Sequence, residues 1–127
     1  MSGFERSETD EFARGARALV VYPELPGRAS VGPESRLAEA EGLALAIGLN
    51  VVRKKHYRVR SPRAVTLLGG GQVEEIAEMG RELEADLLIV DASLTAIQQR
   101  NLEERTGLKT LDRTGLLLEI FGERAAT

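Results

Sequence analysis

The sequence predicts an α/β domain with a small, open, mostly parallel sheet of four or five strands and helices on both faces. Short apolar, β-rich runs alternate with segments of helical periodicity along the 127 residues, an alternation typical of parallel sheets with right-handed crossovers. The strongest runs are apolar throughout, as expected for strands covered on both faces. The length corresponds to one domain, which we place at residues 16–127, after a flexible polar segment at 1–15.

The first half of the chain contains two predicted strands and one helix. A buried strand is predicted at 18–22, where the run A-L-V-V-Y is apolar throughout. A loop opens at Pro23, and Pro33 then occupies the position that proline favours at a helix start. Gly48 is a suitable end for this helix. A second strand is predicted at 49–59, and because its later half is basic, we expect it near an edge of the sheet.

The second half is organised around a triple-glycine turn. A short apolar run at 65–68 is predicted as a strand that leads through the glycines into a helix, whose apolar stripe runs from Val73 to Leu83. The run D-L-L-I-V at 86–90 is the clearest strand in the chain. The remaining elements are, in order, a polar helix at 95–105 ended by Gly107, a short strand at 108–111 and an apolar helix after the candidate N-cap Asp112.

Composition excludes several classes of function. The chain has no cysteine, so disulfides, thiolate catalysis and cysteine-ligated metals are excluded. A single histidine, His56, argues against a histidine-based zinc site. No apolar run approaches the roughly 20 residues that span a bilayer, and the polar N-terminus lacks the features of a signal peptide. We therefore expect a cytoplasmic protein without a membrane span.

Positive charge is concentrated in one segment. The net charge is −3, from 17 basic and 20 acidic residues. Residues 53–63 contain six of the bases and no acid, which leaves 11 bases against 20 acids, or −9, in the rest of the chain. Such segregation favours a basic face that contacts RNA phosphates, although charges on an edge strand can also serve only to prevent strand pairing. The candidate RNA-binding residues are Arg53, Lys54, Lys55, Arg58, Arg60 and Arg63.

The glycine turn is a candidate phosphate site. Glycine lets a ligand approach the backbone closely, and a helix N-terminus attracts anions. Asp91, at the carboxyl end of a buried strand, lies where ligands of open α/β sheets collect and could hold Mg²⁺. The chain has no G-x-x-x-x-G-K-[ST] motif, and a tight strand-to-helix turn with a capping acid explains the same residues. The candidate nucleotide- or phosphate-binding residues are Gly69, Gly70, Gly71, Gln72 and Asp91.

The helix predicted at 95–105 has a thin apolar stripe and one strongly polar face. Gln98, Gln99, Arg100 and Asn101 follow one another in it. Such a run is typical of a solvated surface helix, and it also offers many hydrogen-bonding groups to a partner. We therefore treat these four residues as a candidate contact face. No group of residues in the sequence indicates a catalytic centre or a metal site.

Three segments together resemble the N-terminal domain of the HflX family of ribosome-associated GTPases. Residues 66–76, T-L-L-G-G-G-Q-V-E-E-I, are similar to the family's I-G-x-G-K-x-E-E-L turn. Residues 86–103 end in Q-Q-R-N-L-E, similar to the family's Q-x-R-N-L-E after an apolar strand. Residues 111–127 are similar to D-R-T-x-L-I-L-x-I-F-x-x-R-A-x-T. The second and third motifs are specific in combination, whereas the glycine turn alone is not.

The resemblance implies a binding module within a larger protein. In the family this α/β domain precedes a helical linker and a GTPase domain, which would lie C-terminal to Thr127. The implied partners are these two domains and the large ribosomal subunit, whose rRNA the N-terminal domain contacts. GTP and Mg²⁺ would serve the GTPase domain, so no cofactor is implied in this chain, and the chain on its own would not hydrolyse GTP.

Two functions follow from these observations. The first is an rRNA-binding domain that positions or regulates the GTPase domain. The second is an ATP-binding domain, with or without weak ATPase activity, that uses the Gly69–Gly71 turn. Gln72 stands where the family has a lysine, so a phosphate bound at this turn would lack a local cation and one charge-assisted hydrogen bond.

Overall fold

Strands and helices alternate strictly in the computed structural model, which describes residues 14–27 and 32–125. Residues 1–13 of the predicted N-terminal segment lie outside the described residues. The elements are, in order, β1 (Arg17–Glu24), α1 (Pro33–Ala46), β2 (Asn50–Arg58), α2 (Gly70–Glu82), β3 (Leu87–Val90), α3 (Ala96–Thr106), β4 (Lys109–Asp112) and α4 (Arg113–Ala125).

The four strands form one sheet in the order β2-β1-β3-β4, and all three pairings are parallel. In the centre, Val20 of β1 lies opposite Lys54 of β2 on one side and Ile89 of β3 on the other. All of β3 and most of β1 are buried, which explains why their sequences are apolar without alternation. The predicted fold class is confirmed, with four strands, and β2 is an edge strand as expected.

Alternate side chains of the central strands point into two separate hydrophobic layers. Ala18 and Val20 pack with α1 and α4. Leu19 and Val21 pack with α2 and α3 on the other face. Helices therefore cover both faces of the sheet, and each fully buried Leu, Ile or Val contributes about 1.5–3 kcal/mol relative to an exposed position.

Glycine and aspartate mark three helix boundaries where the sequence predicts them. Gly48 follows α1 with φ 84, and Gly107 follows α3 with φ 74; both adopt the left-handed conformation common after helices. Asp112 Oδ1 accepts the N–H of Gly115 at 2.8 Å, so its carboxylate satisfies a free amide in the first turn of α4.

The prediction of a strand at residues 65–68 is wrong. These residues belong to the loop between β2 and α2, where Arg63 and Leu67 form an isolated antiparallel bridge. Leu67 has φ 68, and Thr66 Oγ1 donates to the carbonyl of Leu68 at 2.7 Å. The run is apolar because Leu68 is fully buried under α2, and a short apolar run does not distinguish a buried loop from a strand.

Candidate functional site

The carboxyl ends of the strands and the N-termini of the helices meet at one edge of the sheet. Because β1 connects to β2 on one side and pairs with β3 on the other, the strand order reverses between β1 and β3, where ligands of open α/β sheets bind. A cavity of about 210 Å³ lies at this point, and its lining includes Tyr22, Arg36, Asp91 and Ser93. The candidate site is therefore this carboxyl edge.

Asp91 lies at the carboxyl edge as predicted, and each oxygen of its carboxylate accepts a hydrogen bond from an arginine. Its side chain is 1% exposed; Oδ2 accepts from Arg36 Nε at 3.1 Å, and Oδ1 accepts from Arg113 Nη1 at 2.8 Å. Arg113 also lies 3.1 Å from Glu39. The hydrogen bond to Asp91 is the main cause that raises the pKa of Arg113 above its ordinary value. The network joins β3 to α1 and α4.

The structure does not bring Asp91 and the glycine turn together. The partners of Asp91 lie in α1 and α4, on one face of the sheet. Gly70 and Gly71 lie in α2, on the other face. A metal ion at Asp91 would first have to displace both arginines, so the residues predicted for a nucleotide–magnesium site do not fit that group in this arrangement.

The glycine turn forms the N-terminus of α2, with Gly69 at the N-cap and Gly70 and Gly71 in the first turn. None of these three glycines has a positive φ. Gln72 Oε1 accepts the N–H of Gly69 at 3.0 Å, and Gln72 Nε2 donates to the carbonyl of Arg58 at 3.0 Å. Gln72 therefore connects the helix to the edge strand, and the amides of Gly70 and Gly71 remain the candidate phosphate donors.

The basic segment, residues 53–63, comprises the later part of β2 and the beginning of the loop that follows it. Its first three cations contact the helices. Lys54 Nζ lies 2.8 Å from Glu41 in α1, and Lys55 Nζ lies 3.8 Å from Glu75 in α2. Arg53 Nη1 lies 3.9 Å from a methionine sulfur of α2. The two lysine–glutamate ion pairs are partly exposed and contribute about 0.2–1 kcal/mol each, whereas the arginine contacts a neutral sulfur. These three residues therefore have partners inside the domain.

The last three cations of the basic segment are Arg58, Arg60 and Arg63, and they differ from the first three in having no acidic partner among the described side chains. All three residues are exposed, and no acidic side chain in ranges 14–27 and 32–122 lies within ion-pair distance of them. The backbone of two of them is held in place, because Gln72 donates to the carbonyl of Arg58 and because Arg63 exchanges hydrogen bonds of 3.1 and 2.8 Å with Leu67. The carboxyl edge thus presents three exposed arginines, and hydrogen bonds hold the backbone of Arg58 and Arg63.

Three residues of the predicted contact face make side-chain hydrogen bonds to the backbone of other segments of the domain. Gln98 and Asn101 donate to backbone carbonyl groups of the loop after β2, at 2.9 and 3.0 Å. Gln99 donates to the carbonyl of Thr110, in β4, at 2.7 Å. Arg100 is exposed. The amide side chains of this run therefore already make hydrogen bonds within the domain.

Comparison with known proteins identifies the family. The family model described as "GTP-binding GTPase N-terminal" matches residues 34–122, which include the edge strand, the glycine turn and Asp91. The chain belongs to this family, the N-terminal domains of HflX GTPases.

Curated proteins named GTPase HflX are similar to this HflX domain. The protein of Chlamydia pneumoniae is 43% identical over 95 residues, which cover 74% of this chain and 20% of that protein. That of Magnetococcus marinus is 44% identical over 91 residues, covering 72% and 21%. That of Escherichia coli is 34% identical over 91 residues, again covering 72% and 21%. The HflX domain thus spans about a fifth of the length of these relatives.

Solved structures share the fold of the HflX domain. The complex of SsGBP with GDP superposes with a TM-score of 0.63 at 20% identity, over 87% of this chain and 30% of that one. A GTP-binding protein from Sulfolobus solfataricus in complex with GDP gives 0.59 at 20% identity, over 83% and 30%. At this identity the similarity concerns the fold alone.

The HflX domain also contains polar contacts at the carboxyl edge that the sequence did not predict. His56 Nε2 lies 2.7 Å from Glu24 Oε1, and its ring stacks on Tyr22 with the centroids 5.8 Å apart. The guanidinium of Arg36 lies 5.1 Å from the centre of the Tyr22 ring. Tyr22 and His56 meet because they are opposite one another in the register of β1 and β2, and periodicity does not report register.

Residues 14–27 and 32–125 contain neither a candidate membrane span nor a candidate metal cluster. No helix in these ranges has both the length and the apolar character needed to cross a membrane. Within the same ranges, no three His, Cys, Asp or Glu side chains are grouped so that they could hold a metal ion.

Proposed function

We propose that this HflX domain binds RNA of the large ribosomal subunit through Arg58, Arg60 and Arg63. The observation that carries the proposal is the exposure of these three cations without acidic partners among the described side chains. Each free guanidinium can neutralise one phosphate and release a counterion from the nucleic acid. Arg53, Lys54 and Lys55 contribute less, because they already contact groups within the domain.

The role of this binding is to position or regulate a GTPase domain that follows Thr127. GTP and Mg²⁺ belong to that domain, since the present sequence has no P-loop. This chain alone therefore hydrolyses no GTP, and it acts in the cytoplasm, where ribosomes are found. These statements rest on the similarity to HflX GTPases.

Co-sedimentation with purified large ribosomal subunits across a salt series tests the proposal. The wild-type domain is expected to pellet with the subunit at low salt and to be released as salt rises. The variant Arg58→Glu/Arg60→Glu should lose this pelleting. A matched control, Arg81→Glu/Arg105→Glu, changes the charge equally at exposed positions outside the basic segment and should still pellet.

Two outcomes would contradict the proposal. If the wild-type domain does not pellet at low salt, the domain does not hold the subunit by itself. If both double variants lose pelleting equally while their thermal unfolding is unchanged, overall charge governs the association and the three arginines have no special role. Thermal unfolding of each variant separates loss of contact from loss of fold.

An ATP-binding domain is the second candidate function. It is supported by the open space around Gly70 and Gly71, where an added Cβ would meet no heavy atom within 4 Å. The positions of Gln72 and Asp91 weigh against it, because the first is engaged with the edge strand and the second with two arginines. Calorimetry with millimolar ATP and Mg²⁺ tests it, and an absence of binding heat would exclude it.

A further inference from the structure

A second cavity lies directly beside two of the three arginines. It has a volume of about 300 Å³ and opens where β1 and β2 end. Its walls include the apolar side chains of Leu25, Pro26 and Val59, and Arg58 and Arg60 also line it. The cavity therefore combines an apolar interior with two cations, and it is distinct from the cavity at Asp91.

Two of the apolar residues in the wall of this cavity, Val59 and Leu25, are held by the rest of the fold. Val59 is 4% exposed, and its N–H donates to the carbonyl of Glu24 at 2.9 Å. Leu25 packs against the hydrophobic layer beneath α2. Among the described lining residues, Glu24 is the one acid, and its carboxylate lies 2.7 Å from His56. A ligand would thus enter a shaped pocket whose arginines have no paired carboxylate among the described residues.

A nucleotide matches both properties of the pocket. A bare phosphate makes no use of apolar walls, and an apolar peptide side chain makes no use of two unpaired arginines. A nucleobase needs apolar or planar surfaces, which guanidinium groups also provide by stacking, and the flanking phosphates need cations. Only a base outside a duplex can enter such a pocket, because paired bases are stacked on both sides.

We propose that the pocket receives one unpaired nucleotide of the bound RNA, with its base against Leu25 and Pro26 and its phosphates on Arg58 and Arg60. The proposal rests on the proposed RNA-binding function and adds the class of RNA. The domain binds a single-stranded loop or bulge and not a regular duplex.

Fluorescence anisotropy with three labelled RNAs at low salt tests this proposal. The first is a short single-stranded RNA of mixed sequence, the second is the same RNA with an abasic central nucleotide, and the third is a duplex. The abasic RNA keeps every phosphate, so its affinity measures the base alone. The intact strand should bind about fivefold more tightly than the abasic strand and more tightly than the duplex.

Competition with a free nucleoside monophosphate distinguishes a polymer from a small ligand. The monophosphate presents the same base and one phosphate, so it should compete only weakly. If it competes at concentrations similar to those of the intact RNA, the pocket binds free nucleotides and the proposal is wrong.

Two variants of the pocket test its residues without a change of charge. Pro26→Ala, at an exposed position, and Leu25→Ala should each weaken the intact RNA severalfold and leave the abasic RNA unchanged. Leu45→Ala on α1, which is 54% exposed and does not line the pocket, is the matched control and should alter neither. Leu25 contacts the core, so Leu25→Ala can unfold the domain. In that case the test of the pocket rests on Pro26→Ala and on the binding of intact and abasic RNA by the wild-type domain.

The outcomes also separate this proposal from the proposed function. Equal binding of intact and abasic RNA, together with salt-sensitive pelleting on ribosomal subunits, would overturn the nucleotide pocket and leave subunit binding intact. Binding to none of the three RNAs would likewise overturn the pocket. Failure to pellet with subunits at low salt would contradict the proposed function itself.

Discussion

At the scale of single residues, Tyr57 links the stability of the domain to pH. The residue is 5% exposed, and its hydroxyl makes no hydrogen bond to a partner in the described part of the chain. Burial is the main cause that raises the pKa of Tyr57 well above its ordinary value. The nearby Glu75 carboxylate, which does not reach hydrogen-bond geometry with the hydroxyl, raises this pKa further. Above about pH 10 the unfolded tyrosine loses its proton while the folded one keeps it. Folding stability should therefore fall as the pH rises above 10.

Tyr57→Phe should remove this alkaline loss. At neutral pH the variant should be at least as stable as the wild type, by up to about 1 kcal/mol, because a buried hydroxyl without a partner is costly. Between pH 9 and 11 its free energy of unfolding should decline less steeply. Urea unfolding across this range measures both effects, and Tyr22→Phe, which leaves Tyr57 in place, should retain the decline. An equally steep decline in Tyr57→Phe would show that other groups cause it.

At the scale of elements, the first turn of α2 contains glycines that its backbone does not require. Gly70 and Gly71 have no positive φ and have free space where a Cβ would lie. Gly70→Ala/Gly71→Ala should therefore stabilise the domain by about 1 kcal/mol, since alanine loses less conformational entropy than glycine in a helix. Gly107→Ala is the contrasting control, because its φ of 74 should cost about 1–2 kcal/mol.

Chemical denaturation of the wild type, the double alanine variant and Gly107→Ala measures these differences in stability. RNA binding by the same proteins shows whether a ligand needs the two glycines. If the double alanine variant is more stable and still binds RNA, the glycines are not needed for close approach of a ligand. If it is more stable and no longer binds, a ligand contacts this backbone. Destabilisation of the double variant would contradict the structural prediction.

The opposite edge strand, β4, is protected by side chains of α3. Glu103 Oε2 accepts the N–H of Thr110 at 3.0 Å, and Gln99 Nε2 donates to the carbonyl of the same residue at 2.7 Å. These bonds occupy backbone groups that an edge strand would otherwise offer to another chain. Part of the polar face that the sequence suggested for a partner thus serves to close the sheet.

Gln99→Ala/Glu103→Ala should expose the edge of β4. Loss of the two hydrogen bonds should cost about 1–3 kcal/mol of stability, and the freed backbone groups should promote concentration-dependent association. Sedimentation velocity over a concentration series detects the association. Arg100→Ala/Glu104→Ala, at exposed neighbouring positions of α3, should remain as the wild type. A double variant at Gln99 and Glu103 that stays stable and does not associate would refute this role.

The sequence predicted elements better than it predicted side-chain partners. The apolar runs of β1 and β3 and the helix-ending Gly48 and Gly107 are local signals, so they could be identified from the sequence alone. The run at 65–68 could not be interpreted in the same way, because its burial depends on where α2 lies. The two arginines that bind Asp91 come from helices distant in sequence, and no local pattern predicts such contacts.

At the scale of the whole molecule, positive charge on an acidic protein can act in two ways. The overall field attracts RNA from a distance, whereas direct contacts neutralise individual phosphates and set the dependence on salt. The two halves of the basic segment separate these effects. Arg53, Lys54 and Lys55 have side-chain contacts in the domain, whereas Arg58, Arg60 and Arg63 have no acidic partner among the described side chains.

Two triple variants, each with three glutamines, therefore distinguish the field from the contacts. Each variant lowers the net charge by three, from −3 to −6. If direct contacts dominate, glutamine at Arg58, Arg60 and Arg63 should reduce the slope of log K against log salt by about 2–3, at roughly 0.7–0.9 per phosphate. Glutamine at residues 53–55 should change that slope by less than about one. Anisotropy titrations of RNA at several salt concentrations measure both slopes, and equal reductions would mean that the general field, and not the carboxyl edge, holds the RNA.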